Sequence, residues 1–171
     1  SAGTEDLIID LRNNGGGDNS FSDPMIAWFA TRPFPFASRF MLKASAETKA
    51  WYDKQTASGE IGSGSLLARM IETERSQPNG NRYALELPMV EPRPEPRYTG
   101  RVHVLVNRHS YSNGASVAAI IQDYGFGTIY GEETADVPTS YASVLYFELP
   151  NSGITVTYPK SYFVRPSGDE G

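Results

Sequence analysis

Two junctions between an apolar strand and a polar turn carry the residue types that acyl-transfer chemistry requires. The first contains three successive glycines, Gly15 to Gly17, directly after an apolar run. Without a Cβ, such a backbone can turn tightly and bring its N–H groups close to a ligand. The second places Ser112 between a valine-rich strand and a predicted helix. One junction thus offers amides that can hold an oxyanion or a phosphate, and the other offers a nucleophilic hydroxyl.

Each junction also has a simpler interpretation. Glycine-rich turns are common, and this one has neither the G-x-G-x-x-G spacing of a dinucleotide fingerprint nor the Lys and Ser/Thr of a phosphate loop. A serine before a helix is most often an N-cap. On that turn, however, the Ser112 hydroxyl would be exposed, where the helix lends positive potential to a developing oxyanion. Both interpretations stay open from these residues alone.

Composition narrows the class of protein. The 171 residues are enough for one domain with a substantial core. A net charge of −5 without any Lys/Arg cluster argues against a nucleic-acid surface. The sequence has no cysteine, which excludes disulfides, thiolate metal ligands and cysteine nucleophiles. With two histidines we expect no metal site and no cofactor, and no apolar run has membrane-spanning length.

The elements that must position the junctions alternate between strands and helices, which predicts an α/β fold with a C-terminal β-hairpin. A short apolar strand, 7–11, is expected to be buried on both faces, and 128–130 is expected to be a further buried strand. A first helix is expected to be capped by Ser22 or Asp23, with Pro24 in its first turn. The other predicted helices are 46–57, 64–75 and 113–123. The other predicted strands are 83–87, 101–107, a hairpin of 141–149 and 154–158, and a last strand 161–165.

Together the junctions resemble the motifs of the carboxy-terminal processing, or tail-specific, serine proteases. Residues 7–17 are similar to that family's D-L-R-x-N-x-G-G, and residues 104–116 to its V-L-V-N followed by S-A-S-A-S-E. The later Q-D-x-G, G-E-x-T and Y-Y-x-P-S-G motifs are matched at 122–125, 131–134 and 162–168. The resemblance covers residues 5–32 and 100–168. Residues 33–99 are not recognised, and we interpret them as an insertion that forms a lid or substrate channel.

This resemblance implies a Clp protease/crotonase-like core and serine endopeptidase activity on extended polypeptides. It places the nucleophile at Ser112 and the oxyanion hole at the amides of Asn113 and Gly16, with Gly17 as the next candidate. The chain starts without Met and stops in a polar turn, so we expect residues 1–171 to be the C-terminal part of a catalytic domain. The resemblance and the absence of cysteine favour an extracytoplasmic location, in the bacterial periplasm or cell envelope.

The general base departs from the pattern of the family's larger branch. Val137 stands where that branch has the lysine of G-E-x-T-x-G-K-G, so the usual Ser–Lys dyad is excluded. The other branch, similar to tricorn-type proteases, uses a histidine from an earlier segment and a glutamate near the end of the domain, where Glu170 lies. The resemblance therefore implies a histidine base from outside the chain, oriented by Glu170. The isolated chain is then expected to be inactive.

Other interpretations stay open. His109 or Lys160 could act as the base, although His109 is expected to be a turn residue and Lys160 to be solvated. His103 lies inside a strand, which indicates a structural role. Asp10, beside Arg12, is expected to bond locally and hold the loop. The competing class is a protease-like module that has lost its base and binds a peptide or a hydrophobic ligand. A crotonase-like acyl-CoA enzyme would share the core fold but not the motifs.

Overall fold

The computed structural model describes residues 3–17, 19–59, 61 and 66–170. The chain divides into two compact units. The first comprises Ser1–Ser38, Pro88–Ser140 and Val164–Gly171, and the second comprises Arg39–Leu87 and Tyr141–Phe163. Residues 33–99, which contain no recognised motif, therefore do not form a unit of their own. Most of them belong to the unit that also contains the C-terminal hairpin.

The described residues form strands and helices in the following ranges. The strands are β1 (Asp6–Asp10), β2 (Arg39–Lys43), β3 (Arg82–Ala84), β4 (Arg101–Val106), β5 (Thr128–Gly131), β6 (Ser140–Glu148) and β7 (Thr155–Val164). The helices are α1 (Asn19–Ala27), α2 (Ala46–Ala57), α3 (Leu66–Ser76) and α4 (Asn113–Tyr124). This mixture confirms the predicted α/β class. Within the described residues, no helix is long and apolar enough to span a membrane.

A parallel three-stranded sheet of order β1-β4-β5 organises the first unit. The alternate residues Val102, Val104 and Val106 of β4 are buried, and they belong to one core with the apolar face of α4. The opposite face of the sheet is open, since Ile8 is 64% and Tyr130 48% exposed. The predictions that 7–11 is buried on two faces and that 128–130 is a buried strand were therefore wrong. An apolar run of five residues cannot by itself show whether one face or both are covered.

Helix α4 confirms its predicted bounds to within a residue. It ends at Gly125, which adopts the left-handed conformation at φ +67° and donates its N–H to the Gln122 and Ile121 carbonyls. Glycine accepts that conformation without steric cost, which is why it so often follows the last helical turn.

Helix α1 begins earlier than the sequence indicates. It starts at Asn19, so Pro24 lies inside the helix and neither Ser22 nor Asp23 is its N-cap. Asp23 instead accepts a hydrogen bond from the Asn19 amide at 2.9 Å, one turn before it. Ser22 is buried and accepts a hydrogen bond from the Asn113 side chain. The role of Ser22, which the sequence predicted to be an N-cap, is thus determined by a hydrogen bond to a residue 91 positions away in the chain.

The second unit contains a four-stranded sheet of order β3-β2-β7-β6. Strands β2 and β3 are antiparallel with Lys43 opposite Arg82, and β3 is shorter than the predicted 83–87. The hairpin turn predicted at 151–153 is confirmed by the hydrogen bond from the Gly153 N–H to the Leu149 carbonyl. The predicted separate strands 154–158 and 161–165 are one continuous strand, β7, which passes through Pro159. Proline is tolerated in a strand where its missing N–H is not needed for the ladder.

Candidate active site

The two junctions meet at one edge of the parallel sheet. Strands β1 and β4 are hydrogen-bonded neighbours running in the same direction, so their carboxyl ends lie side by side. The Leu11 N–H continues this pairing by donating to the Leu105 carbonyl at 2.9 Å. Ligand sites of open α/β sheets form at this edge. Parallel pairing is therefore the reason that two motifs about a hundred residues apart form a single site.

Ser110 links two loops by hydrogen bonds. One is the loop between β4 and α4 that carries Ser112 (the nucleophile loop), and the other is the loop after β1 that carries Gly15 to Gly17 (the glycine loop). Ser110 is fully buried, its hydroxyl donates to the Leu11 carbonyl at 2.8 Å, and it accepts from the Asn107 N–H at 3.0 Å. A second link joins the Tyr111 N–H to the Asn14 carbonyl at 2.8 Å. These bonds fix the backbone on both sides of the turn that carries Ser112.

Two asparagines form a further cross-link between the loops. The Asn107 amide donates to Asn13 Oδ1 at 3.2 Å, and its own Oδ1 accepts from the Asn13 N–H at 3.1 Å. Asn13 adopts a left-handed conformation, at φ +59°, which asparagine tolerates better than most residues. Sequence reasoning missed this pair and Ser110. A signal for the pair was present, because asparagine favours turns through hydrogen bonds of its side chain and tolerates the left-handed conformation.

Ser112 is exposed and immediately precedes α4, with a backbone at φ +53° and ψ −122°. Its side chain makes no capping hydrogen bond, so the simple N-cap interpretation fails. Non-glycine residues rarely adopt this conformation, and holding one costs on the order of 1–3 kcal/mol. The turn presents the hydroxyl outward at the positive end of the helix.

The amide of Asn113 is available to a ligand. It is the first N–H of α4, and the structure gives it no acceptor among the described residues. The next amide, of Gly114, donates to the Tyr111 carbonyl at 3.0 Å, and the Ser116 amide donates to the Ser112 carbonyl. An unpaired N–H at a helix N-terminus next to a nucleophile is suited to stabilise an oxyanion.

The glycine loop approaches the nucleophile through Gly16. A Cβ added to this glycine would lie 2.6 Å from the Ser112 Cβ. The Gly16 N–H, however, donates to Asn14 Oδ1 at 2.9 Å, and that bond must break before the amide can serve an oxyanion. The Gly17 amide has no acceptor among the residues described. The choice between these two glycines as oxyanion donors stays a prediction.

A cavity of about 330 Å³ lies beside these amides. It is lined by Leu11, Asn14, Gly16, Gly17, Phe21, Ser22, Met25, Asn113, Gly114 and Val117. Its walls are mainly apolar, while the buried Oδ1 of Asn113 has no hydrogen-bond partner among the described residues. Such a cavity fits an apolar side chain with one donor directed at the amide oxygen.

The loop in which the resemblance places a lysine lies next to the nucleophile loop. The Ala135 N–H donates to the Ser110 carbonyl at 2.9 Å, and Glu132 forms a bidentate ion pair with Arg108 at 3.0 and 3.1 Å. That pair holds the pKa of Glu132 below its ordinary value. Val137 is 64% exposed at the position of the missing lysine.

The histidines have different surroundings. The Nε2 atom of His103 lies 2.8 Å from Asp6 Oδ1 and its ring packs on Tyr130, which supports the predicted structural role. His109 is exposed in the turn before Ser112, and its backbone N–H donates to Asn107 Oδ1. Its use as a base stays a prediction.

Lys160 is not solvated, which corrects the sequence prediction. It belongs to the second unit, is only 8% exposed and places its amine 4.9 Å from the centre of the Trp51 ring. Burial lowers the pKa of Lys160 to about 8, and Glu74 opposes that shift. The neighbouring Pro159 and the polar residues around it concealed this burial in the sequence.

Glu170 is exposed and follows a segment that is held in place by Arg165. The Arg165 guanidinium forms an ion pair with Asp123 at 2.6 Å, and its backbone N–H donates to the Thr139 hydroxyl. That hydroxyl in turn donates to the Asp169 carbonyl at 2.5 Å. The chain thus reaches Glu170 along a fixed path, while the catalytic role of Glu170 stays a prediction.

Asp10 behaves as predicted. Its carboxylate accepts three hydrogen bonds from Arg12, one from the backbone and two from the guanidinium, at 2.7 to 3.0 Å. These bonds lower the pKa of Asp10 to about 2. The pair shapes the loop before the glycines and leaves the carboxylate ionised at neutral pH.

Comparison with known proteins identifies the family. Peptidase family S41 matches residues 1–170. The chain belongs to peptidase family S41. The predicted family is therefore confirmed, and with it a serine peptidase as the enzyme class of the family. Which of the family's branches it falls in stays a prediction.

Solved structures confirm the S41 fold. A mutant of CPAF matches 98% of this chain with a TM-score of 0.68 and 19% identity. Mature CPAF complexed with lactacystin matches 96% with a TM-score of 0.62 and 16% identity. The photosystem II D1 C-terminal processing protease matches 98% with a TM-score of 0.53 and 18% identity. The chain spans 32% to 39% of the length of these proteins.

Proposed function

We propose that this chain carries the nucleophile and oxyanion hole of a serine endopeptidase that cleaves extended polypeptides. The observation that carries the proposal is the backbone of Ser112, at φ +53° and ψ −122° directly before α4. A strained turn of this kind presents the nucleophile of other serine hydrolases at the start of a helix. Membership of family S41 supports the same chemistry.

The reaction follows from the arrangement of these groups. Ser112 Oγ attacks the scissile carbonyl while a base removes its proton, and the carbonyl electrons move onto oxygen. The amides of Asn113 and of Gly16 or Gly17 hold that oxyanion. The protonated base then donates its proton to the leaving amine, and water hydrolyses the acyl-serine ester. The cavity beside Val117 would hold an apolar side chain of the substrate.

The base in this proposal is a histidine supplied from outside residues 1–171 and oriented by Glu170. Val137 cannot accept a proton at the lysine position, and His103 is already bonded to Asp6. The bonds of Arg165 to Asp123 and Thr139 support the proposal, because they fix the segment that ends at Glu170. This combination of groups would place the chain in the serine–histidine–glutamate branch of its family.

The proposed substrate is an extended polypeptide that pairs with a strand edge. Strand β6 is an outer strand of its sheet, and an outer strand has backbone N–H and C=O groups to which a peptide can bond. An extracytoplasmic location is our prediction for the enzyme, supported by the absence of cysteine.

Labelling of Ser112 by a fluorophosphonate tests the proposal. The chain alone should react slowly because it lacks its base. Added imidazole should restore the reaction in proportion to its unprotonated fraction, since it can take the position of the absent histidine. The Ser112→Ala variant should not react under either condition. Mass spectrometry of the labelled peptide would locate the adduct.

Two outcomes would overturn parts of this proposal. Equal labelling of the chain and of Ser112→Ala, with imidazole present, would remove Ser112 as the nucleophile and favour a binding module without activity. Rapid Ser112-dependent peptide hydrolysis without imidazole would show that the base lies inside the chain. Variants His109→Gln and Lys160→Met would then identify it.

A further inference from the structure

A second cavity, of about 390 Å³, lies on the sheet of the second unit, and the proposed reaction does not use it. All of its lining residues belong to strands β2, β3, β6 and β7. They include Arg39, Lys43, Arg82, Tyr141, Lys160 and Ser161. The cavity thus extends across four adjacent strands of one sheet.

The lining is strongly basic in a chain whose net charge is −5. It contains four basic residues and no acidic one. Lys43 and Arg82 are exposed and face each other as register partners on β2 and β3. Like charges directly opposite in an antiparallel pair destabilise a sheet. The described residues include no ion-pair partner for either cation, so the repulsion is not relieved within that part of the chain.

A buried hydroxyl in the lining also lacks a partner. Ser161 is 3% exposed, and its Oγ has no hydrogen-bond partner among the described residues. Leaving a buried hydroxyl without a hydrogen-bond partner is unfavourable. The rest of the lining includes an aromatic pair, Tyr141 and Tyr162, whose ring centres lie 5.0 Å apart. A ligand with acceptors and apolar groups would complement these features.

Lys160 contributes to the lining but is not the basis of the inference. Its amine lies over the rings of Trp51 and Tyr52, neither of which lines the cavity. The exposed cations of the lining are those of Arg39, Lys43 and Arg82.

The spacing of the cations indicates an extended ligand. Arg39 and Lys43 lie on the same face of β2, four residues apart, which corresponds to about 13 Å along a strand. One carboxylate cannot contact both positions, whereas alternate side chains of an extended peptide lie about 7 Å apart on one face. An extended peptide segment with several acidic residues can place one carboxylate near each of these cations.

We propose that this cavity binds an acidic, extended polypeptide segment through its side-chain carboxylates, with apolar residues of the segment on the tyrosine pair. Lys43 and Arg82 would bind the carboxylates, and the buried Ser161 hydroxyl, after rotation of its side chain toward the cavity, would donate to an acceptor of the peptide. This binding needs no bond cleavage, so it stands or falls independently of Ser112.

Fluorescence anisotropy with a defined peptide tests the inference. The probe is a fluorescein-labelled octapeptide in which glutamate alternates with leucine and tyrosine, titrated with the whole chain at low salt. We expect saturable binding that weakens in 0.5 M NaCl, because salt screens exposed charges. The same peptide with glutamine for glutamate should bind at least tenfold more weakly. Amidation of its C-terminus should leave the affinity unchanged.

Matched variants locate the binding. Lys43→Gln/Arg82→Gln should weaken binding at least tenfold, as expected from the loss of two charge-assisted hydrogen bonds. Lys54→Gln/Arg75→Gln removes the same two charges from exposed positions of the same unit, and binding should persist. The exchange Lys43→Arg/Arg82→Lys should retain binding, and circular dichroism would confirm that each variant is folded. Ser112→Ala should bind like the unmodified chain.

Several results would overturn the inference. It fails if the glutamine peptide binds equally well, or if the control pair weakens binding as much as the cavity pair. A single-stranded oligonucleotide that binds as tightly as the acidic peptide would show a general polyanion surface instead. Loss of binding on C-terminal amidation would assign the site to a chain terminus rather than to acidic side chains.

Discussion

Gly16 lies directly against the side chain of Ser112. A Cβ on this glycine would be 2.6 Å from the Ser112 Cβ and 3.1 Å from its Oγ, and the glycine adopts φ +106°. Both facts require glycine at this position, because no L side chain fits the space or the backbone without strain. The glycine of one loop thus makes room for the nucleophile of the other. This explains why the two motifs depend on each other.

Gly16→Ala should therefore strongly reduce the reactivity of Ser112. The added methyl must displace the nucleophile turn, and even a small displacement of a reacting atom costs about a hundredfold in rate. We expect imidazole-supported labelling by fluorophosphonate to fall at least tenfold. Gly15→Ala is the control in the same loop, since a Cβ there meets nothing within 4 Å. Equal labelling of the two variants would contradict the role assigned to Gly16.

Ser110→Ala should destabilise the chain without touching the nucleophile. The change leaves the Asn107 N–H without its buried partner and removes one of the two hydrogen bonds to the Leu11 carbonyl, which keeps that from the Asn14 N–H, at a cost of about 1–3 kcal/mol. For a chain of this length the midpoint of thermal unfolding should fall by roughly 2–12 °C. Ser58→Ala, at an exposed hydroxyl, should change the midpoint little. Similar midpoints for the two variants would show that Ser110 does not hold the loops together.

The sequence correctly predicted those helices and strands whose bounds depend on neighbouring residues in the chain rather than on distant contacts. Helix α4 has an apolar face and a terminal Gly125, and it was predicted to within a residue. Helix α1 was misplaced because its start depends on Asn19 and on the contact of Ser22 with Asn113, a residue distant in sequence. Strand β1 was expected to be covered on both faces and β5 to be buried, and only the three-dimensional arrangement shows that one face of their sheet is open.

The motifs predicted which loops form the candidate site, but not the contacts that their residues make. The order of the motifs identified the family, and parallel pairing of β1 and β4 brings Gly16 and Ser112 together. Motifs could not reveal that the Gly16 N–H is bonded to Asn14. Nor could they show that Lys160 is buried, because its burial comes from Trp51 on a separate helix.

Ser112→Gly should make the chain more stable while removing the hydroxyl. The backbone at φ +53° and ψ −122° is strained for serine but not for glycine, and the relief exceeds the entropic cost of glycine. We expect a gain of about 1 kcal/mol in the free energy of unfolding relative to Ser112→Ala, which keeps the strain. Urea unfolding of both variants measures it. Equal stabilities would mean that the conformation of Ser112 is not strained.

The stability of the second unit should depend on the ionisation of Lys160. Burial lowers its pKa from 10.5 to about 8. Between these two values the unfolded chain keeps a proton that the folded chain has lost, so the free energy of unfolding rises with pH. Below pH 8 the amine is charged in both states, and folding bears the full cost of burying it. The gain across this window is on the order of 3 kcal/mol.

Replacement by methionine isolates this effect. Lys160→Met has no amine to titrate, so its free energy of unfolding should lack the rise between pH 8 and pH 10.5. Lys54→Met, at an exposed position of α2, should keep it. Burial also raises the pKa of both Tyr52 and Tyr83 in the folded chain, so near pH 10 and above their ionisation in the unfolded chain lowers the free energy of unfolding, and it does so equally in all three proteins. Parallel pH profiles for the unmodified chain and Lys160→Met, measured by urea unfolding, would show that the Lys160 amine is solvated after all.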